Sequence, residues 1–375
     1  MALSDLPIID CHVHFGDVKD ADLILSIMRE ANFERMNLVS IISPNRVNFN
    51  PEEMYMKAAY PSSFYIFGGL DYSSILLGLG RAEPRLTEQV DALIKIGFDG
   101  VKMVEGKPLA RKILMKPFDS EFYKEYFEYL ETLQFPLLFH VNDPEEFWDP
   151  DKVPEWAKQR GWYYDSTYPT KEELYMEVGR VLENSPKLKV IFAHFYFLSG
   201  DLERAASLLD NYRNVHLDIT PGSEMYYNFS AKREEWRAFF IQYQDRILYG
   251  TDINNGMPLE EAVNHANRIR RFLETDEPIR WGTYPGKDEP LIGLKLPEHV
   301  TRKIYSENFK RIVGKEPRPL NLEAAIDECL RLARLVSKIK VKGEYRAASW
   351  IRPRVKNPAK YVADLLMKMK RSRDS

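Results

Sequence analysis

The sequence Asp10-Cys11-His12-Val13-His14-Phe15-Gly16 follows the apolar lead Leu6-Pro7-Ile8-Ile9 near the start of the chain. This pattern predicts a β-strand, in which successive side chains point to opposite faces. Strict alternation places Asp10, His12 and His14 on one face and the intervening apolar residues on the other. Two imidazoles at positions i and i+2 can bind one cation, and imidazole suits Zn, Fe, Ni or Cu. The first strand is therefore predicted to carry part of a metal site.

Short apolar runs of this kind recur along the chain, at residues 7–15, 37–42, 64–71, 98–104, 136–140, 188–194, 215–219 and 246–252. Helical periodicity separates or follows many of them, as at 21–28, 86–96, 120–133, 202–209 and 259–273. Strands that alternate with helices predict an α/β fold with a parallel sheet, and eight units match the (β/α)8 TIM barrel. A doubly wound open sheet is the alternative. The absence of a Gly-rich phosphate loop after the first run weakens it.

The overall composition is that of an ordinary soluble protein, with 375 residues, 44% hydrophobic residues and a net charge of -3. The N-terminal residues show no signal-peptide pattern, and no apolar run approaches the roughly 20 residues of a membrane span. Cys11 and Cys329 lie far apart without paired spacing. These features predict a cytoplasmic protein without disulfides.

The polar residues at the ends of the predicted strands indicate where chemistry takes place. In TIM barrels the active site lies at the C-terminal ends of the strands. Six residues of suitable chemistry fall there: His12, His14, Lys102, His140, His194 and Asp252. All except the lysine can ligate a metal without modification, and together they predict a divalent metal site.

This arrangement resembles the amidohydrolase superfamily, and more closely its amidohydrolase-related branch of TIM-barrel metal-dependent hydrolases and decarboxylases. The resemblance covers roughly residues 5 to 314. It rests on Asp10-Cys11-His12-Val13-His14, Phe139-His140, Ala193-His194, Gly250-Thr251-Asp252, and on Leu296-Pro297-Glu298 ahead of a closing helix.

The resemblance implies a role for each site residue. His12, His14 and His140 would ligate a divalent metal, Zn²⁺ before Mn²⁺ or Fe²⁺. Asp252 would be a further ligand, or the base that deprotonates the attacking water. His194 would polarise the substrate carbonyl or hold a second ion. Lys102 would be a free amine that binds a substrate carboxylate or, in a two-ion site, a carboxylated bridging ligand.

A metal site with an adjacent base and a polarising residue suffices to hydrolyse an amide, ester or lactone in a small anionic substrate. The same groups equally suit a non-oxidative decarboxylase of an aromatic or unsaturated acid. The sequence departs from decarboxylase relatives in two places, with Phe195-Tyr196-Phe197 after His194 and Ile253-Asn254-Asn255-Gly256 after Asp252. Both changes alter the predicted rim of the pocket.

Specificity is expected to come from loops at the barrel mouth. The span 141–187 is too long for a plain crossover and is rich in Trp and Tyr, so it predicts either a lid or an extra packed element. Arg46, Asn142 and Trp148 are the candidate substrate contacts. On the seventh run, His216 is expected to be structural, whereas Asp218 could orient a metal ligand.

The chain is predicted to divide into a barrel at 1–314, with 141–187 inserted, and a helical extension at 315–375. From residue 331 onward, 14 Lys and Arg stand against 3 Asp and Glu, so a basic extension follows an acidic body. The extension is expected to dock on that body or on a partner subunit of a homo-oligomer. Binding to nucleic acid or an anionic membrane is less favoured, because few aromatic residues interleave the charges. The remaining alternative to an enzyme is a non-catalytic barrel whose basic tail acts as an interaction module.

Overall fold

A nine-stranded sheet forms the centre of the computed structural model, which describes residues 3–43, 46–76, 84–282, 289–339 and 354–374. Its strands are β1 (Ile8–His14), β2 (Phe33–Val39), β3 (Phe64–Gly69), β4 (Gly100–Gly106), β5 (Leu137–Val141), β6 (Val190–Phe192), β7 (Val215–Asp218), β8 (Ile247–Leu248) and β9 (Ile253–Asn254). Neighbouring strands pair in parallel, in the order β8-β7-β6-β5-β4-β3-β2-β1-β9. A separate antiparallel pair joins β10 (Pro278–Ile279) to β11 (Leu291–Ile292).

The sheet closes on itself because β8 and β9 are two short parts of one predicted run. The Cys11 amide donates to the Tyr249 carbonyl at 3.0 Å, and the Asp252 amide donates to the His12 carbonyl at 2.9 Å. The eighth run therefore bonds to β7 at its start and to β1 along its later part. This closure confirms the predicted TIM barrel and excludes the open doubly wound sheet.

Helices connect the strands and surround them. They are α1 (Ala21–Glu30), α2 (Asn50–Ala59), α3 (Ser73–Leu76), α4 (Leu86–Ile96), α5 (Pro108–Leu114), α6 (Glu121–Leu133), α7 (Glu155–Gln159), α8 (Lys171–Asn184), α9 (Leu202–Asn211), α10 (Met225–Ala231), α11 (Arg233–Gln242), α12 (Leu259–Glu274), α13 (Glu298–Arg302), α14 (Asn308–Ile312), α15 (Leu322–Val336) and α16 (Pro358–Asp374). None of these described helices has the length and apolar character needed to cross a membrane.

The interior of the barrel holds a cluster of apolar side chains from opposite strands, and this cluster corrects one expectation for β1. Ile9 and Cys11 belong to it, together with Phe67 of β3, Leu138 of β5 and Ile191 of β6. The predicted alternation would instead have kept Cys11 away from the face that carries His12. The pairing register of β1 against β2 shifts between Asp10 and Val13, and such an irregularity re-aims side chains locally.

The C-terminal helices pack on one side of the barrel. Helix α15 contacts α16, and both contact α2. Two ion pairs join this extension to the acidic body: Arg331 lies 2.8 Å from Asp71, and Arg354 lies 2.9 Å from Asp17 in the loop after β1. The sequence from Trp350 to Arg354 is predicted to interrupt the helical pattern of the extension, and it lies outside the described residues except for Arg354.

Candidate metal centre

His12 is held at the barrel mouth by a buried carboxylate. Its Nδ1 lies 3.0 Å from Oδ2 of Asp218, at the end of β7. The other Asp218 oxygen accepts the backbone N–H groups of His194, at 2.8 Å, and Thr220, at 3.1 Å. The Asp218 carboxylate therefore accepts a hydrogen bond from Nδ1–H of His12, which places the lone pair of this ring on Nε2, the nitrogen that would ligate a metal. The sequence assigned Asp218 this orienting role.

His14 is oriented in the same way, by a backbone carbonyl. Its Nδ1 lies 2.9 Å from the carbonyl oxygen of Val39 at the end of β2, and its Nε2 lies 3.2 Å from Oδ1 of Asp252. The Nε2 of His12 lies 3.9 Å from the same Asp252 oxygen. One ligand atom from each of His12, His14 and Asp252 falls within 4.8 Å of the others.

This donor set fits a divalent cation such as zinc, iron or manganese. Two imidazole nitrogens and one carboxylate oxygen converge, and both imidazoles have their second nitrogen fixed by an acceptor. Fixed tautomers of this kind are typical of histidines that ligate metals. Burial lowers the pKa of His12 well below its usual range, and the nearby charge of Lys102 adds to the effect. His12 is therefore held neutral, as a ligand must be.

The chain conformation around Asp252 places its carboxylate beside both histidines. Asp252 has a left-handed backbone, with φ of 62°, which interrupts the strand between β8 and β9. A Cβ at Gly250 would lie 2.2 Å from Oγ1 of Thr220, so only glycine permits this close approach. Thr251, which stands between Gly250 and Asp252, is held by Asp10. The Asp10 carboxylate accepts the Thr251 N–H at 3.1 Å and the Thr251 hydroxyl at 2.5 Å.

The charge state of Asp252 is set by its neighbours. Burial alone would raise the pKa of its carboxyl. The hydrogen bond with His14, followed by the electrostatic influence of that ring, outweighs burial and brings that pKa below its ordinary value. Asp252 is therefore ionised at neutral pH and can accept a proton or ligate a cation.

Lys102 lies on the floor of the same site. It is buried near the middle of β4, and its Nζ lies 3.0 Å from Nε2 of His12. Burial lowers the pKa of Lys102 to about 8, although the charges of Asp218 and Asp252 favour its ammonium form. Nζ of Lys102 therefore contacts the same His12 nitrogen, Nε2, that would ligate a metal ion.

His194 is presented by an unusual turn. The four residues His194 to Phe197 all have φ between 53° and 55°, a left-handed stretch that costs about 1–2 kcal/mol per non-glycine residue. Buried aromatic packing offsets this cost: Phe195 contacts Phe229 and Trp236, and Tyr196 stacks on Phe192. The aromatic residues that depart from the decarboxylase pattern thus hold the turn in place.

The turn also fixes the hydrogen bonding of His194. Its Nδ1 lies 3.3 Å from the Thr220 carbonyl, which places the ring proton on Nδ1 and leaves Nε2 as an acceptor. Burial, with the charge of His140, lowers the pKa of His194 to about 3, so the ring is neutral. A neutral ring with a free Nε2 suits ligation or proton acceptance better than donation to a carbonyl.

His140 also has one ring nitrogen held by acceptors of the chain. Its Nε2 lies 2.9 Å from the Asn142 carbonyl and 3.4 Å from Oδ1 of Asp143, and its ring centre lies 4.8 Å from that of His194. Among the described residues, neither His140 nor His194 belongs to the group whose ligand atoms converge within 4.8 Å. Ligation by His140 and His194 stays a prediction.

A cavity of about 400 Å³ opens above these residues. Its floor includes His14, Lys102, His140, His194 and Asp252. Its walls are largely apolar, and the described residues that form them include Ile41, Ile42, Val104, Leu109 and Met257. The site is therefore a small pocket with a polar, titratable floor, as an active site requires.

Three rim residues were missing from the sequence prediction. Lys107, directly after β4, binds Asp143 through two contacts of 2.6 Å. Arg160 and Glu261 also line the cavity. Lys107 could have been found because it follows a barrel strand. Arg160 could not, because nothing local in the sequence shows that α7 folds over the mouth.

The predicted substrate contacts occupy other positions. Arg46 is buried, donates to Glu52 at 2.7 Å and to the Gly16 carbonyl, and is not among the described cavity-lining residues. Asn142 is fully buried and donates to the Lys171 carbonyl at 3.2 Å. Trp148 lines a second cavity instead, and its indole donates to the Pro169 carbonyl at 3.2 Å. Direct substrate contact by these three residues stays a prediction.

The segment between β5 and α8 was predicted to be either a lid over the mouth or an extra packed element, and it has features of both. Phe147, Val153, Ala157 and Tyr164 form a small apolar core of their own, with other aromatic residues packed around it. Trp162 from the same segment lines the cavity. The crossover to β6 is made by α8, so the additional structure precedes Lys171.

His216 lies away from the site, and its buried imidazole is expected to make the stability of the fold depend on pH. Its Nδ1 contacts the Asn214 carbonyl at 3.1 Å, and burial, with the charges of Arg246 and Arg311, lowers its pKa to about 3. Below pH 6.5 the unfolded chain binds a proton here that the folded chain excludes, so stability falls as pH decreases from 6.5 towards 3. We expect His216→Gln to reduce this slope by about 1.4 kcal/mol per pH unit.

Urea unfolding at several pH values between 4.5 and 6.5 measures that slope. His299→Gln, at an exposed position, is the matched control and should leave the slope unchanged. An unchanged slope in the His216→Gln protein would show that the folded chain protonates His216 in this range.

A family model described as amidohydrolase matches residues 74–315. A search of curated protein sequences found no match. Among solved structures, an uncharacterised TIM-barrel protein from Bordetella bronchiseptica is similar, with 14% identity, a TM-score of 0.52, and coverage of 85% of this chain and 99% of that chain. This similarity supports the barrel fold alone.

Two further solved structures are more distant. A 2,6-dihydroxybenzoate decarboxylase from Rhizobium shows 15% identity and a TM-score of 0.49, covering 82% of this chain and 98% of that chain. A probable 2-pyrone-4,6-dicarboxylic acid hydrolase from Acinetobacter baumannii shows 13% identity and a TM-score of 0.46, covering 82% and 99%. The family match spans more than half of the chain, and the chain therefore belongs to the amidohydrolase family, whose members are metal-dependent hydrolases and decarboxylases.

Proposed function

We propose that this enzyme is a metal-dependent hydrolase that cleaves an amide, ester or lactone in a small anionic substrate. The observation that carries the proposal is the convergence of His12, His14 and Asp252 at the floor of a 400 Å³ cavity. The cavity volume limits the substrate to a small molecule. The cation Lys102 on the same floor favours a substrate with a negative charge.

His12, His14 and Asp252 would hold the metal, which we propose to be Zn²⁺, with Mn²⁺ or Fe²⁺ as alternatives. When bound, such a cation supplies a Lewis acid that polarises a carbonyl and makes water a nucleophile near neutral pH. His194 is proposed as a further ligand, because its neutral ring leaves Nε2 as an acceptor.

Asp252 is proposed as the general base. Its carboxylate is ionised, and its Oδ1 lies 3.2 Å from Nε2 of His14, so the base stands beside the residues that would hold the metal and its water. The base accepts the proton of the attacking water and returns it to the leaving group. Lys102 is proposed to hold a substrate carboxylate or to donate to the oxyanion that forms on attack.

Non-oxidative decarboxylation is the second candidate. Lys102 supports it, because a buried cation 3.0 Å from His12 could anchor the carboxylate that leaves as carbon dioxide. The carbon that loses carbon dioxide must gain a proton, and Asp252 is proposed to take that proton from a water molecule and pass it to the substrate carbon.

The two reactions are separated by their products. The enzyme is stripped with chelator, reloaded with Zn²⁺, Mn²⁺ or Fe²⁺, and incubated with carboxylate-bearing lactones, esters, amides and hydroxybenzoates. Proton release in a pH-stat reports hydrolysis of esters and lactones, released amine or ammonia reports hydrolysis of amides, and released carbon dioxide reports decarboxylation. Hydrolysis that needs the metal supports the proposal, decarboxylation alone supports the second candidate, and neither reaction in any reloaded form would contradict both.

We further propose that residues 315–375 form a unit that stabilises the barrel by docking on it, with 1–314 as the catalytic part. The contacts of α15 and α16 with α2, and of Arg354 with Asp17, support this division. A cytoplasmic, homo-oligomeric enzyme is proposed from the two separate buried cysteines and the charge asymmetry of the chain.

A further inference from the structure

The cavity carries one cation on its rim that its described neighbours do not neutralise. Lys107 binds both oxygens of Asp143 at 2.6 Å, so its charge is matched. Arg160 lines the same cavity, but no described carboxylate lies within ion-pair distance of its guanidinium. Its charge is therefore available to a ligand.

The local chain geometry holds Arg160 in this place. Arg160 is the C-cap residue directly after α7, and Gly161 follows with φ of 74°, a left-handed conformation that glycine adopts without strain. The turn brings Trp162 back so that its amide donates to the Ala157 carbonyl at 2.9 Å. The Arg160 guanidinium carbon then lies 5.2 Å from the ring centres of both Trp156 and Trp162. Cation–π contacts on two rings restrict the side chain without consuming its hydrogen-bond donors.

The remaining lining residues define what kind of ligand fits. Lys102 is buried on the floor, whereas Arg160 is exposed on the rim, so the two cations lie at different depths of the cavity. The same lining includes the apolar side chains named above, and Glu261, an exposed acid on α12, also lines the cavity. A compact apolar ligand with two separated negative charges would match these features.

We propose that Arg160 is a specificity-determining residue that binds a second anionic group, so that the enzyme selects dianionic organic acids over monoanionic ones. One charge of the substrate lies at the metal and Lys102, and the other is bound by the Arg160 guanidinium, which suits a carboxylate geometrically. This inference rests on the proposed function only in taking the cavity as the substrate site.

The test compares two aromatic acids that differ by one carboxylate, benzoate and isophthalate. Their binding to the zinc-loaded enzyme is measured by calorimetry, so no turnover is needed. We expect isophthalate to bind the wild-type enzyme at least about 10-fold more tightly than benzoate. Arg160→Gln should weaken isophthalate binding by about 10-fold or more and leave benzoate within about 2-fold.

Three further variants make the test specific. Lys158→Gln removes an exposed charge from α7 and should leave both affinities unchanged. Arg160→Lys should recover part of the isophthalate affinity, because it restores charge without the bidentate fork. Glu261→Gln should strengthen isophthalate binding, since it removes a negative charge from the rim.

Equal losses for both ligands in the Arg160→Gln protein would overturn the proposal, as would failure of isophthalate to bind the wild-type enzyme more tightly than benzoate. Failure of the Arg160 proposal can be distinguished from failure of the proposed function. Selective loss of isophthalate binding in a protein that hydrolyses nothing would leave the role of Arg160 standing. Active hydrolysis in which the Arg160→Gln protein keeps the wild-type preference for dianionic over monoanionic substrates would overturn the role of Arg160 and leave the proposed function standing.

Discussion

Replacing Asp252 by Asn is expected to reduce turnover by about 10²–10⁴-fold while the chain stays folded. Asn has the shape of Asp but cannot accept the proton of the attacking water, and its amide is a weaker ligand. The side chain is 43% exposed to the cavity, so the substitution leaves no buried charge unpaired. Initial rates with the substrate identified in the pH-stat screen measure the effect.

Two measurements accompany the Asp252→Asn assay. Metal content of the variant separates the two roles, since a metal-loaded but inactive protein has lost its base, whereas a metal-free protein has lost a ligand. Asp276→Asn is the matched control, because Asp276 is a surface acid paired with Lys295 at 3.0 Å. Wild-type turnover in the Asp252→Asn protein would show that Asp252 does not transfer the proton.

Replacing Asp218 by Asn is expected to weaken metal affinity and activity by about 10–100-fold. The Asn oxygen can still accept the amides of His194 and Thr220, so the local backbone is retained. Its NH₂ group then faces Nδ1 of His12 and drives the imidazole proton to Nε2. The His12 lone pair is thereby turned away from Asp252 and from any cation.

Zinc titration of the stripped protein measures this loss. Asp210→Asn is the control, since Asp210 is an exposed acid that accepts from Tyr243 at 3.0 Å, and neither residue is among the described residues that line the cavity. Unfolding by urea shows whether the Asp218→Asn protein is folded. Unchanged zinc affinity in a folded Asp218→Asn protein would mean that the His12–Asp218 contact does not set the ligand tautomer.

The barrel was predictable because its strands are buried on both sides. Continuous apolar runs mark such strands, and all eight runs contain or overlap a strand of the structure. Their boundaries were less predictable. The second strand begins at Phe33, four residues before the predicted run. Glu34 and Arg35 at its start are exposed or half-buried, so this part of the strand carries no continuous apolar sequence.

The irregular backbone at the mouth was not predictable. The register shift in β1, the left-handed turn at His194 and the left-handed Asp252 depend on contacts between distant strands. Asp and Gly near such positions are a weak signal, and the aromatic turn residues after His194 give none. The same irregularities aim the site residues, so the sequence could supply the candidate metal ligands but not their geometry.

Substrate-contact residues were the least predictable part. Position after a strand selected Arg46 and Asn142, yet both side chains are buried in hydrogen bonds with the chain itself. Arg160 reaches the cavity only because α7 packs over the barrel on its own small core. Contacts of this kind depend on tertiary packing, which a local pattern does not encode.

The most direct test of a metal-dependent enzyme is the metal content per chain of protein purified without chelator. We predict at least one equivalent. One equivalent would support Lys102 as a free amine, and two would support a carboxylated Lys102 as a bridging ligand. No bound metal, even after incubation with Zn²⁺ or Mn²⁺, would leave the barrel intact and contradict the proposed chemistry.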